Sequence, residues 1–241
     1  MHHAKHWKLE PVMNLLLWLF AGMFLGAVLI AGLPKLIGPG MTTPSPDLQF
    51  LNHLIGAATF HGWVLWLAWR FVRAQGMTWN QAFGFEHGSA RKVALFAAAA
   101  TALALPVSLA LGELSSLVMT RSDLNLETQQ AVRTLQQTRG LFERVVFGFS
   151  AIVLAPAAEE LLFRGILYPV LKALGFPRLA FWGTAVVFAA IHANLPTFLS
   201  LTAFALILSS LYERTQNLLA PILAHSLFNA VNFCWILSAA S

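Results

Sequence analysis

Apolar residues run through this chain in long blocks, and polar residues are concentrated in the gaps between them. The blocks cover residues 12–33, 50–72, 92–112, 145–174, 179–192, 197–211 and 218–237. A hydrocarbon core about 30 Å thick takes roughly 20 apolar residues of helix, so the pattern predicts seven membrane-spanning helices. An eighth arises if block 145–174, long for one crossing and carrying Pro156 and Pro169, breaks into two pieces. Block 179–192 is correspondingly short. The first block ends at Pro34 and a Gly/Pro-rich loop with no clear small-residue cleavage site after it, so it is expected to be a retained span rather than a removed leader.

The fold class expected is therefore all-α, a polytopic membrane helix bundle of about seven or eight transmembrane helices. Three parts are expected: an apolar leader of three spans over residues 1–112, a polar loop over 113–144, and a membrane domain over 145–241. In the loop Arg121, Arg133, Arg139 and Arg144 alternate with Glu113, Asp123, Glu127 and Glu143. There Leu124, Leu126, Ala131, Val132, Leu135 and Leu141 recur close to a helical period, which predicts an amphipathic helix lying on the membrane or packed on the bundle.

Composition agrees with lipid as the main solvent. Of 241 residues 58% are hydrophobic and only 10% charged, against about a quarter charged in soluble chains, and the mean hydropathy is +0.68. An ordinary cytosolic enzyme and a disordered chain are both excluded. The net charge of +5 is scattered between the apolar blocks rather than gathered in a stripe, which argues against nucleic acid as a partner. Cys234 is the only cysteine, so an internal disulfide and a cysteine metal cluster are both ruled out. It is expected to pack in its apolar block.

With the N-terminus in the cytoplasm, Lys5, Lys8, Arg70, Arg73, Arg91, Lys92, Lys172, Arg178 and Arg214 fall inside, and the four loop arginines fall outside. His2, His3 and His6 join Lys5 and Lys8 in a basic flank. A multi-pass protein of the cell membrane, in the style of a bacterial inner membrane, is the expected location.

Ionisable groups inside spans cost about 2.5–3.5 kcal/mol each on insertion scales and point to function by default. Here they gather late in the chain: Glu159, Glu160 and Arg164 in APAAEELLFRG, His192 at the end of FAAIH, and His225 and Asn229 in LAHSLFN. Glu160 and Arg164, four apart, share a helix face and can neutralise each other. Glu159 is rotated by about 100° from Glu160 and must find another partner or a water, which makes it the candidate general base. His225 and Asn229, also four apart, offer two donors of the sort an oxyanion site needs. His192 can complete the base or bind a metal. Asn52, His53 and His61 in the second block are read as packing residues.

Glu159, His192 and His225 are also candidate metal ligands, since a Glu/His/His shell suits zinc and leaves a position for water. Spacing does not decide between metal and no metal, and both routes start from an activated water. A serine nucleophile is disfavoured, because G-x-S-x-G is absent and Ser226 merely adjoins His225.

Taken together, Glu159-Glu160-x-x-x-Arg164, Phe188-x-x-x-His192 and His225-x-x-x-Asn229 resemble the CPBP family, which groups type II CAAX prenyl endopeptidases with bacteriocin-processing and immunity proteins of the Abi type. The resemblance covers about residues 144–237. It implies an intramembrane endopeptidase in which Glu159 and His192 activate water while His225 and Asn229 stabilise the oxyanion, Glu160 and Arg164 supporting them. Members are often called metalloproteases, and a metal-free glutamate mechanism has also been argued, so zinc stays open as a cofactor. The expected substrate is a peptide or membrane protein rather than a prenylated tail, and the oligomeric state is open. The alternative is a non-catalytic membrane scaffold or bacteriocin-immunity-type protein. A proton-coupled transporter ranks last, because no counterpart of the Glu-Glu segment occurs in the first half.

Overall fold

The computed structural model describes residues 9–37, 46–122, 129–138 and 140–239, and these form helices and connecting turns with no strand. The first block becomes α1 (Leu9–Ile37). The second is one helical run built from α2 (Pro46–Gly56), a π-helical turn (Ala57–Gly62) and α3 (Trp63–Ala74). A short α4 (Trp79–Phe83) precedes α5 (Ala90–Arg121), which continues well past Gly112, so the beginning of the polar stretch is helix rather than loop. The amphipathic segment is seen as α6 (Gln130–Gln137), with Leu135 buried on its inner face. Leu124, Leu126 and Arg139, like the basic flank at residues 2–8, lie outside the described residues.

Block 145–174 is a single continuous rod over Leu141–Ala173. It comprises α7 (Leu141–Phe149), a π turn (Ser150–Leu154), α8 (Ala155–Glu160), a second π turn (Leu161–Leu167) and α9 (Tyr168–Ala173). Pro156 and Pro169 do not break it. Each falls at the start of an α-helical piece, where a missing N–H is tolerated. A further π turn (Leu179–Gly183) leads into α10 (Thr184–Ala190), followed by α11 (Phe198–Thr215) and α12 (Leu219–Ala239).

Among the described residues, four helical runs are long and apolar enough to cross a bilayer: Leu9–Gly32, Ala90–Arg121, Leu141–Ala173 and Leu219–Ala239. The remaining apolar blocks form shorter or less apolar helical pieces. Leu179–Ala190 is too short to span. Residues 46–74 carry Asn52, His53 and His61, and α11 serves as an inner helix, packed against α5, α10 and α12.

The outside of the bundle is as apolar as its inside. Leu17, Phe20 and Phe24 of α1, Leu95 and Leu103 of α5, and Val231 and Trp235 of α12 are all exposed, as lipid-facing positions should be. Cys234 is also exposed on α12 rather than packed, because its neighbours on that face look outward. Where α1 meets the second run, Gly22 and Gly26 form a small-xxx-small stripe. A Cβ on either would overlap the Trp63 ring or the Thr59 hydroxyl, and Trp63 Nε1 donates to Trp18 O across the contact at 2.7 Å.

One corner ties the two halves together. Thr78 caps α4 in a capping box with Gln81, and Gly84 closes it in the left-handed region at φ 69°. A Cβ on Gly84 would run into the Gln216 carbonyl. Asn217, 1% exposed, donates Nδ2 to His87 O at 2.8 Å and to Phe85 O at 3.3 Å, while Leu218 N donates to Phe83 O at 3.0 Å. Nearby Glu213 accepts from Lys172 Nζ at 2.6 Å and Tyr168 OH at 2.5 Å. Partial burial pushes its carboxyl up, but the bonds from Lys172 and Tyr168 outweigh this and hold it below the usual carboxylate value.

Asn217→Ala leaves two carbonyls without their donor, so unfolding of the purified protein in lipid nanodiscs is expected to become easier by about 1–3 kcal/mol. An unchanged unfolding midpoint would remove Asn217 from its role as a tie.

Candidate active site

The Glu-Glu segment sits at the centre of the bundle, where α8 touches the π turn at Ala57–Gly62, α3 and α12. Its placement depends on the two π turns beside it. A π turn admits one extra residue and swings the helix beyond it by about 100° relative to a straight α-helix. In the first of them Ala155 N donates to Ser150 O, five residues back. The next residue, Pro156, has no N–H to offer, so the Ala151 carbonyl is left without a donor from either register. Asn229 of α12 supplies it, with Nδ2 2.8 Å from Ala151 O.

Glu160 is wholly buried and lies between Arg164 and His225. Its Oε1 is 2.9 Å from Arg164 Nη1 and 2.9 Å from His225 Nδ1. Arg164, the largest of the fully buried side chains, spends its other donors on α11: Nη2 reaches Ala205 O at 2.7 Å and Nε reaches Ser209 Oγ at 3.4 Å. Its guanidinium also lies 5.0 Å from the centre of the Phe188 ring, a cation–π contact. The i,i+4 pair expected from the spacing is present, and it forms part of a hub joining the rod, α11 and α12.

His225 stands between the two carboxylates. Nδ1 faces Glu160, and Nε2 lies 3.9 Å from Glu159 Oε2. An ionised carboxylate only accepts, so the Nδ1 proton belongs on the Glu160 side. Glu159 has a second neighbour that the motifs do not include, His61, whose Nε2 is 3.5 Å from Glu159 Oε1. His61 thus joins two helical runs, as expected of it, but its partner across the contact is a charged group. A histidine inside an apolar block was the available signal, but nothing in spacing links it to a residue so far along the chain. Of its neighbours read the same way, His53 does pack, stacking on Phe147 at 4.3 Å.

Glu159 Oε2 is buried and has no hydrogen-bond partner. Its carboxylate borders a cavity of about 380 Å³ that is also lined by His61, His192, Thr59, Met23 and Gly26. His192 is fixed by Nδ1 against Phe188 O at 2.7 Å. A carbonyl only accepts, so this bond leaves Nε2 as the lone-pair nitrogen of the neutral ring. Glu159, Glu160, Arg164 and His225 therefore meet directly, with His192 across the cavity. Asn229 lies one turn from His225, its side-chain amide directed to the Ala151 backbone.

No three His, Cys, Asp or Glu side chains among the described residues converge closely enough to hold a metal ion. Glu159 Oε1 faces His61, and His225 turns Nδ1 to Glu160 and Nε2 toward Glu159.

Residues 141–231 match the family model described as Type II CAAX prenyl endopeptidase Rce1-like. Over that segment the chain is similar to the Rce1-like family. The match takes in Glu159, Glu160, Arg164, His192, His225 and Asn229, and it bears out the resemblance carried by those motifs. The uncharacterized protein YpbD of Bacillus subtilis (strain 168) is 35% identical over 83 residues, 33% of this chain and 40% of that protein's length. The chain thus spans well under two thirds of that relative. No solved structure matches.

Arg164→Met would leave the Glu160 carboxylate buried with His225 alone, at an expected cost of about 3–5 kcal/mol. Combining it with Glu160→Gln removes the stranded charge, and the double variant should unfold at higher denaturant than the single one. If the double variant is no more stable than Arg164→Met, the charge-matching account of this hub fails.

Proposed function

We propose that this chain is an intramembrane endopeptidase, acting on a peptide or membrane-protein substrate with Glu159 as its base. The observation that carries the reading is Glu159 itself, a buried carboxylate with an unpartnered oxygen at the edge of a cavity shared with His192. A carboxylate kept dry and unsatisfied at the centre of a bundle is costly, and a water held there for attack uses the free acceptor.

Glu159 Oε2 takes a proton from that water as its oxygen bonds to the substrate carbonyl carbon. The carbonyl oxygen becomes an oxyanion, and His225 and Asn229 are the donors assigned to it. His225 meets the oxyanion through Nε2, the ring nitrogen not turned to Glu160, and donates there when that nitrogen carries a proton. Collapse breaks the C–N bond, and the proton held by Glu159, with His192 beside the cavity, passes to the departing amine. Residues outside the matched segment line the cavity too, so α1 and the second run are assigned to substrate selection. The bundle is assigned to the cell membrane with its N-terminus cytoplasmic.

A second reading, a membrane scaffold of the immunity type, draws on a specific observation. Arg164, His225 and Asn229 all use donors to join helices, as purely structural residues would.

One comparison separates the two. New protein N-termini are catalogued in membranes of cells expressing the wild type or Glu159→Gln at matched, folded levels. Proteolysis predicts termini that depend on Glu159 and fall by about 100-fold or more in the variant. Cleavage retained in Glu159→Gln would overturn the proposal, and termini identical to those of cells lacking the protein favour the scaffold.

A further inference from the structure

His61 lies outside the segment that matches the family, yet it reaches the central carboxylate. The route is structural. The π turn at Ala57–Gly62 brings the ring inward, and Thr59 Oγ1 bonds back to Ile55 O at 2.7 Å within it. On the other side Gly26 of α1 leaves the space that the Thr59 hydroxyl fills. Three residues remote from Glu159 thus hold one turn in an uncommon helical form, of the kind that collects at functional sites.

The ring itself does not behave like a packing histidine. A histidine that merely joins helices in lipid gives its nitrogens to backbone carbonyls or side-chain hydroxyls. Here Nδ1 is buried with no partner, Nε2 faces Glu159 Oε1 at 3.5 Å, and both residues line the same cavity. The contact is long for a hydrogen bond, as catalytic contacts without substrate commonly are. Oε1 is thus the oxygen turned to His61, while Oε2, without a hydrogen-bond partner, lies 3.9 Å from His225 Nε2.

The geometry points to His61 as a positioning residue for Glu159, a further functional side chain donated by the leader spans. It fixes the orientation of the Glu159 carboxylate beside the cavity, and it makes segment 141–231 incomplete as a catalytic unit. This inference rests on the reading of Glu159 as the base. It also has a consequence that the proteolytic reading does not require, a direct coupling between His61 and Glu159 in the resting protein.

The test uses the full chain in lipid nanodiscs, labelled with ¹⁵N in its histidine rings, and His61→Gln identifies the His61 signals. Glu159→Gln is expected to shift the His61 Nε2 resonance while leaving that of His87, which sits in the remote α4–α5 loop, in place. An unmoved His61 signal overturns the inference whatever the protein cleaves. The second arm counts Glu159-dependent N-termini. His61→Leu and His61→Asn, whose amide is too short to reach, are expected to lose about tenfold or more, and His61→Gln, whose amide nitrogen stands in for Nε2, to recover most of the loss. Equal cleavage by the Leu and Gln variants at equal thermal stability would leave His61 a packing residue. Absence of Glu159-dependent termini in the wild type overturns the proteolytic reading, and the resonance arm still decides the His61–Glu159 contact.

Discussion

Two neighbouring carboxylates cannot stay buried in a bundle surrounded by lipid unless their charge is met, and the arrangement of the later helices depends on that. Glu160 is met by Arg164 and His225, and Arg164 in turn spends its remaining donors on Ala205 O and Ser209 of α11. One charge thereby pins the central rod, α11 and α12 together. Glu159, next in line, has only His61 and the far side of the His225 ring near it among the described ion-pair partners. The two glutamates differ in surroundings: Glu160 Oε1 bonds Arg164 and His225, and Glu159 borders the cavity. Glu160 Oε2 is unpartnered, but its carboxylate is fully enclosed and does not border the cavity.

The π turns are the second condition. With a turn on each side, the short α8 is free to rotate relative to the rest of its rod, and Pro156 removes the N–H that would have answered Ala151. Asn229 answers it from α12, which gives that residue a structural use beside any role at an oxyanion. His225 and Asn229 share a face of α12 and still point at different things, one at a carboxylate and the other at a backbone carbonyl. Shared face sets direction only to within a turn. The partner that meets each side chain decides the rest.

α1 and the second helical run supply part of the cavity wall. Gly22 and Gly26 let α1 lie close to the second run, the π turn of that run delivers His61, and Met23, Gly26 and Thr59 face the cavity that Glu159 borders. The titratable cluster of the matched segment thus meets a cavity wall drawn in part from elsewhere in the chain.

The order of amino acids was enough to establish the solvent, the helical class and the chemical inventory. Long apolar blocks and scarce charge require lipid outside and internally bonded backbone inside, and four residues of spacing suffice to pair Glu160 with Arg164 because one helix carries both. How the apolar blocks divide was less legible: α11 is apolar and packs among α5, α10 and α12, and the helix before it is short. Which carboxylate His225 would bond, where Asn229 would donate and that His61 would meet Glu159 emerged only once the helices were packed. Those contacts join helices remote in the chain, and their rotation is set by π turns, which shift every later side chain by a residue and leave no periodic trace in the sequence.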